Sequence, residues 1–302
     1  MIHSYAQRAA SSSSGGAVRH DDLKIVVNLV RRMQEEAGYY PDVYCLTSLL
    51  SVHSKSGLHD MADNIARSAF ERGIVPTRPF LNAILQNHGR AGRADEAAEL
   101  CGRMREKYGV SPGLRSYSAV INAYARIGDS DSAVKWLDIL EQQSPTLQLD
   151  ATDRLYAYNS AIDSFSQSGG GGAAAVAMFD RLVDSGLKPD ALSMNPVLAA
   201  YAKEGLIHQA WTFMRKATEE HNITPTVASY NCLLSACAYG PDPALANIYL
   251  ETMKSEGYPP NVISFCTIIH AYAVRQDVAH ASDWFNKMIE HNVEPNAKCY
   301  NC

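Results

Sequence analysis

The side chains able to do chemistry in this 302-residue chain are short amides, scattered cations, ten histidines and seven cysteines. Asn82, Asn159, Asn195 and Asn231 each lie near the start of an amphipathic segment. Short polar side chains cap helices in such places, but four on one face make a binding surface. Cations recur at Lys55, Arg90, Arg126 and Lys203, where they either complement helix C-termini or meet anions. Cys299 and Cys302 have the spacing of two metal ligands, but no second pair completes a site. Cys232 and Cys237 read as small core residues, and His53 and His88 fill a slot taken elsewhere by Tyr, which makes them packing residues. No pair of histidines flanks a glutamate at zinc-protease spacing, no Gly-rich loop ends in Lys-Ser/Thr, and no nucleophile elbow is present. The stretch 169–172 lies between two helices and reads as a turn. The expectation is a non-enzyme with no cofactor and no metal site, whose polar groups recognise rather than react.

The elements that position these groups repeat. Prolines 41, 76, 112, 189, 225, 260 and 295 each follow a Gly or Asn by three residues, at Gly38, Gly73, Gly109, Gly186, Asn222, Gly257 and Asn292. Gly and Asn tolerate the left-handed conformation that ends a helix, and proline soon after cannot continue it. Ala62, Ala97, Ala133, Ala175, Ala210, Ala246 and Ala281 recur at nearly the same period, as close helix contact requires. Earlier in each unit, apolar residues fall at i, i+3, i+4 and often i+7, as in Tyr117, Val120, Ile121 and Tyr124. Each unit is therefore helix A, turn, helix B and cap, with no period-two run to suggest a sheet. The complete units are 43–77, 78–113, 114–154, 155–190, 191–226, 227–261 and 262–296. Unit 114–154 loses its Gly-x-x-Pro, and 144–154 reads as an inserted polar loop. Stacked helix pairs bury faces that one pair cannot, which predicts a solenoid.

The ends are partial. Residues 1–22 read either as a helix A remnant with a Ser/Gly insertion or as a transit-like segment. Residues 23–42 supply helix B of a first partial repeat, and 297–302 begin a truncated one. The chain reads as a fragment of a longer protein. No run of about 18 apolar residues predicts a membrane span, and an odd cysteine count without a secretory h-region suggests a reducing compartment.

A helical hairpin of about 35 residues ending in Pro-Asp resembles the pentatricopeptide repeat family. The resemblance is carried by Pro189-Asp190, by Val227-Ala-Ser-Tyr-Asn231-Cys-Leu-Leu, and by Met253-Lys-Ser-Glu-Gly257-Tyr-Pro-Pro-Asn261-Val-Ile-Ser-Phe. It covers about 23–302. Tetratricopeptide repeats run 34 residues and carry a different Trp/Leu-Gly/Tyr pattern. The resemblance implies an all-α, right-handed superhelical solenoid that binds single-stranded RNA, with each repeat reading about one base through two or three side chains. It further implies a mitochondrial or plastid protein acting in organellar RNA processing, stability or translation.

In that family the fifth residue of helix A and the last residue of the unit face the base edge. Carried over, Asn159 with Asp190 is the pairing associated with uracil, Asn195 with Thr226 prefers a pyrimidine, and Asn231 with Asn261 favours cytosine over uracil. Tyr156, Leu192, Ala228 and Ile263, second in their helices, would pack on base faces. Thr47 with Thr77, Asn82 with Gly113 and Cys266 with Asn296 hold the same slots but match no assigned base. Ser118 would pair with Arg154, but the insertion displaces that partner. Asn301 and Asp42 each lack one.

The net charge of −5, from 27 basic and 32 acidic residues, speaks at first against a nucleic-acid partner. Counted by element, the first 14 positions of the seven A helices carry seven basic and two acidic residues, a net +5 that leaves −10 on the rest. Lys55, Arg90, Arg126 and Lys203 all fall at position 13, a column suited to an RNA backbone that advances one nucleotide per repeat. The rival readings are a protein-interaction scaffold using the same groove for a peptide, and an RNA-positioning arm of a processing enzyme whose catalytic domain lies elsewhere.

Overall fold

A computed structural model describes residues 40–169, 171–240 and 244–300. The partial repeat expected over 1–37, the stop at Gly38, and Asn301 and Cys302 lie outside the described residues. Among the described residues there are helices and connections but no strand. The helices come in A/B pairs: α1 (Val43–Lys55) with α2 (His59–Glu71), α3 (Arg78–Arg90) with α4 (Ala94–Tyr108), and α5 (Leu114–Ile127) with α6 (Ser130–Leu147). Then come α7 (Ala151–Gln167) with α8 (Gly172–Asp184), α9 (Ala191–Lys203) with α10 (Ile207–His221), and α11 (Val227–Tyr239) with α12 (Leu245–Ser255). The last are α13 (Val262–Val274) with α14 (Val278–Glu290), and the short α15 (Ala297–Tyr300).

Most A helices start where the sequence supplies an acceptor. Asp42, Asp190, Thr226 and Asn261 accept the backbone N–H of Cys45, Ser193, Ser229 and Ser264, which satisfies donors that a helix N-terminus would otherwise leave open. In the last three the serine returns a contact to the cap's own N–H, forming a capping box. Every helix stop expected within the described residues has left-handed backbone, from Gly73 at φ 68° to Asn292 at φ 55°. At Gly109 the helix closes with Val110 N–H donating to Met104 O at 3.2 Å.

The chain forms two compact bodies. Of the described residues, one holds 40–127 with 131–149, and the other holds 128–130 with those from 150 on. In the first, α3 packs against α1 and α5; in the second, α9 packs against α7 and α11, and α11 against α13. Each body thus has a row of A helices, with B helices seated behind. The row is tight because small residues meet: a β-carbon on Gly89 would stand 3.1 Å from that of Ala123. Ala62, Ala97, Ala133, Ala175, Ala210 and Ala246 are all fully buried, whereas Ala281 is half-buried in the final pair.

One expectation fails. The stretch 144–154 is not a loop, because α6 runs on through Pro145 to Leu147 and α7 already begins at Ala151. Only 148–150 are non-helical, with Gln148 left-handed at φ 52°. Asp150 caps α7 by accepting the N–H of Asp153 at 2.7 Å. The inserted residues therefore lengthen two helices.

Candidate functional site

The four asparagines do not cap helices. Each reaches across to the A helix of the next repeat, where a buried serine three residues into that helix donates to its carbonyl. Ser116 Oγ donates to Asn82 Oδ1 at 2.7 Å, Ser193 to Asn159 at 2.7 Å, Ser229 to Asn195 at 2.6 Å and Ser264 to Asn231 at 2.6 Å. Each serine also accepts the backbone N–H of the residue that ends the asparagine's own repeat: Gly113, Asp190, Thr226 or Asn261. With that lone pair occupied, the single hydroxyl proton is directed to the amide oxygen. With the amide oxygen held, the Nδ2–H₂ group is left as a pair of donors. For Asn231 one donor approaches Asn261 Oδ1 at 3.5 Å.

The last residues of the repeats do cap the following helices, and they keep a polar atom for a ligand. Asp190 uses Oδ1 for Ser193 N–H at 2.9 Å and Ser193 Oγ at 3.1 Å, so its second carboxylate oxygen is open. Thr226 Oγ1 and Asn261 Oδ1 take the same cap bonds, and the Asn261 amide nitrogen remains. Beside these pairs, the second residues of the repeats stand out: Tyr156, Leu192 and Ile263 are 55%, 68% and 60% exposed. Ala228 is exposed too. Apolar side chains presented to solvent next to an oriented amide form a place where a flat, polar-edged ring can rest.

The remaining pairs lack this arrangement. Thr47 donates to Val43 O at 2.6 Å within its own helix, and the next repeat offers Phe80 where serine stands elsewhere; Thr77 caps α3 without a side-chain bond. Ser118 is buried with its hydroxyl unpartnered, and the serine position of the next repeat is Ala157. Arg154 lies inside α7 rather than at its cap, so the structure removes it from the position that a last residue should hold. Cys266 is corrected as well. Its sulfur is joined to Cys299, with the Cα atoms 5.3 Å apart, and Asn296 Oδ1 lies 3.9 Å from it while accepting Cys299 N–H at 3.2 Å. The Cys299-x-x-Cys302 spacing thus concealed a pairing of Cys299 with the previous repeat. Cys232 and Cys237 remain free thiols, and burial pushes the Cys232 thiol up to about 11.

The position-13 cations are of two kinds. Lys55, Arg126 and Lys203 are exposed. Arg90 is half-buried and donates to Ser54 Oγ at 3.1 Å; burial, followed by repulsion from Arg126, pulls its guanidinium below its ordinary value. A second cation beside a partly desolvated one favours an anion between them. Two charges counted on helix A are spent elsewhere. Arg275 donates to the carbonyls of Ala238, Gly240 and Ala271, and Glu204 accepts the N–H of Gly171 at 2.6 Å, at the start of α8. One is basic and one acidic, so the +5 stands. Among the described residues no group of His, Cys, Asp and Glu is placed to hold a metal ion, and no helix is long and apolar enough to cross a membrane.

The serines were the residues missed in reading the sequence. Their signal is a serine 34 residues after Asn82, Asn159 and Asn195, and 33 after Asn231.

A row of A helices joined by such junctions defines a helical-repeat protein. Models of the pentatricopeptide repeat match four stretches of it: the PPR repeat at 80–108 and 115–143, the pentatricopeptide repeat domain at 177–239, and the PPR repeat family at 260–302. The chain belongs to the pentatricopeptide repeat family. A chloroplastic pentatricopeptide repeat-containing protein of Arabidopsis thaliana is 24% identical over 225 residues, which are 74% of this chain and 28% of the relative. A mitochondrial one from the same plant is 26% identical over 206 residues, 67% of this chain and 30% of the relative. The crystal structure of the pentatricopeptide repeat protein PPR10 from maize superposes with a TM-score of 0.53 at 21% identity, covering 99% of this chain and 45% of that one. PPR10 in complex with an 18-nt psaJ RNA element gives 0.50 at 20% identity, covering 98% and 46%. The chain therefore spans less than half the length of these relatives and shares their helical-repeat fold.

Proposed function

We propose that this chain binds single-stranded RNA with a pyrimidine preference, acting without catalysis in a mitochondrion or plastid. The observation that carries the reading is the serine-held amide, repeated four times, which offers donors to a base edge. The RNA-bound PPR10 structure and the chloroplastic and mitochondrial relatives support it. Uracil presents carbonyl oxygens on either side of an N3–H; the Asn159 amide donates to a carbonyl, and the open oxygen of Asp190 accepts the N3–H. Cytosine has an acceptor at N3, which suits the Asn261 amide nitrogen and not a carboxylate. Exposed Leu192 and Ile263 cover the ring faces by apolar contact. Bound in this way, RNA is shielded from nucleases and kept unpaired. The test is binding to a pyrimidine-rich RNA and to a purine-rich one of equal length, each at low and moderate salt. Tighter, salt-sensitive binding of the pyrimidine strand is expected. No binding of either strand at low salt overturns the reading.

A further inference from the structure

The repeat 78–113 has an oriented amide, Asn82, but ends in Gly113, which has no side chain to pair with it. We infer that Arg78 supplies the missing reader and makes this repeat select guanine, an inference that rests on the RNA-binding reading above. Arg78 is the first residue of its repeat, a position held by Val43, Leu114, Leu155, Ala191, Val227 and Val262 in the other complete repeats. The one repeat without a last side chain is the one with arginine here. A β-carbon built on Gly113 would lie 3.5 Å from Arg78 Nη1, 3.6 Å from its Cδ and 3.9 Å from its Cζ. The guanidinium thus lies beside the space where Asp190, Thr226 and Asn261 put their side chains in later repeats. Gly113 is not kept for its backbone, because its φ lies outside the left-handed region; what it provides is room.

The guanidinium is available. Arg78 is exposed and has no ion pair or hydrogen bond among the described residues. Asn82 is 8% exposed, with its oxygen held by buried Ser116. Every group presented to a base here is therefore a donor: the Arg78 fork and the Asn82 amide hydrogens. A donor fork needs two adjacent acceptors on one edge. Guanine offers O6 and N7, the commonest partner of a bidentate arginine. Adenine places an N6–H₂ donor beside N7, and uracil an N3–H between its carbonyls, so both set donor against donor; cytosine pairs N3 with O2 but presents a smaller ring to the stacking planes beside the site. The exposed second residues of this helix and the next, Pro79 and Arg115, offer a ring and a second guanidinium plane on which a purine can stack.

The experiment is selection of bound strands from a fully random single-stranded RNA pool by the full chain and by its variants. The wild-type chain is expected to enrich a short pyrimidine run with guanine at one fixed spacing from it. Arg78→Ala should keep the run and lose the guanine, lowering affinity for a guanine-bearing strand about tenfold relative to its adenine counterpart. Arg78→Lys keeps the charge without the fork and should lose the guanine as well. Gly113→Asp places a carboxylate against Arg78 and should shift the position towards uracil. Guanine enrichment that survives Arg78→Ala, cytosine at that position, or an Arg78→Ala loss equal for all four bases overturns the inference while leaving pyrimidine binding intact. Absence of the pyrimidine run from the wild-type selection overturns the RNA reading itself.

Discussion

Asn159 owes its direction to Ser193, a fully buried residue in the following repeat. Ser193→Ala removes the donor to Asn159 Oδ1 and frees the amide to turn its oxygen outward. Uracil and cytosine opposite that repeat should then bind about equally, checked with two RNAs differing at that base. The stability cost should be modest, about 1 kcal/mol for one lost hydrogen bond, read as a small drop in Tm. Ser193→Thr keeps the hydroxyl and should restore the preference. Equal discrimination in wild type and Ser193→Ala would show that the amide needs no such support. At this scale the asparagines and Asp190 were legible, because residue type and period mark them in one repeat at a time. The serines were not, because their role depends on the register between two A helices. Register is set by the packing of small residues such as Gly89 on Ala123, and no single repeat reveals it.

Among elements, the junction of α13 with α15 departs from the serine rule. Cys266 holds the amide position and Cys299 the serine position, and the pair is bonded. The fifth position of repeat 262–296 then presents no amide donor to a base while the bond is intact. Cys266→Asn combined with Cys299→Ser rebuilds the Asn–Ser pair of the other junctions. It should add one selective contact, measured as a gain in affinity for an RNA one nucleotide longer; unchanged affinity would argue that this end does not meet RNA. A second element effect lies between α3 and α4, where His88 Nδ1 sits 3.3 Å from Glu96 Oε2. Burial, then Arg93, lowers the His88 pKa against the opposing pull of Asp63 and Glu96. An unfolded histidine, at about 6.5, binds a proton before the folded one does. Stability from this group is therefore full above that value and is lost as pH falls towards the folded pKa. Tyr occupies this slot at Tyr124, Tyr201 and Tyr272, so His88→Tyr should lose less Tm than wild type between pH 7 and pH 5. Helix pairs and stops were legible from Gly, Asn, Pro and Ala at fixed spacing. The lengthened α6 was not, because Ser144-Pro145 reads as a break: a proline there removes a helical N–H donor, yet α6 runs two residues beyond it.

For the whole molecule, the relevant quantity is where the charge lies rather than its sum. A net −5 would repel RNA if it were spread evenly, but the A helices carry +5 and the remainder −10. Both compact bodies contribute exposed position-13 cations, Arg126 in one and Lys203 in the other. A phosphate contact and a structural contact at these sites predict different things. If Arg126 and Lys203 neutralise phosphates, each releases counterions when RNA binds, and the slope of log K against log salt falls by about 0.7 per cation removed from a single-strand complex. Arg126→Ala and Lys203→Ala should each flatten the slope by that amount, and the double variant by about twice it, with base preference unchanged. Arg275 serves as the internal control, since its guanidinium is spent on three carbonyls. Arg275→Ala should lower Tm, leaving carbonyls of α11 and α13 without a charged donor, and should leave the salt slope as in wild type. Were all three variants to shift the slope equally, the field of the whole chain would be acting, and the column of cations would hold no particular phosphate.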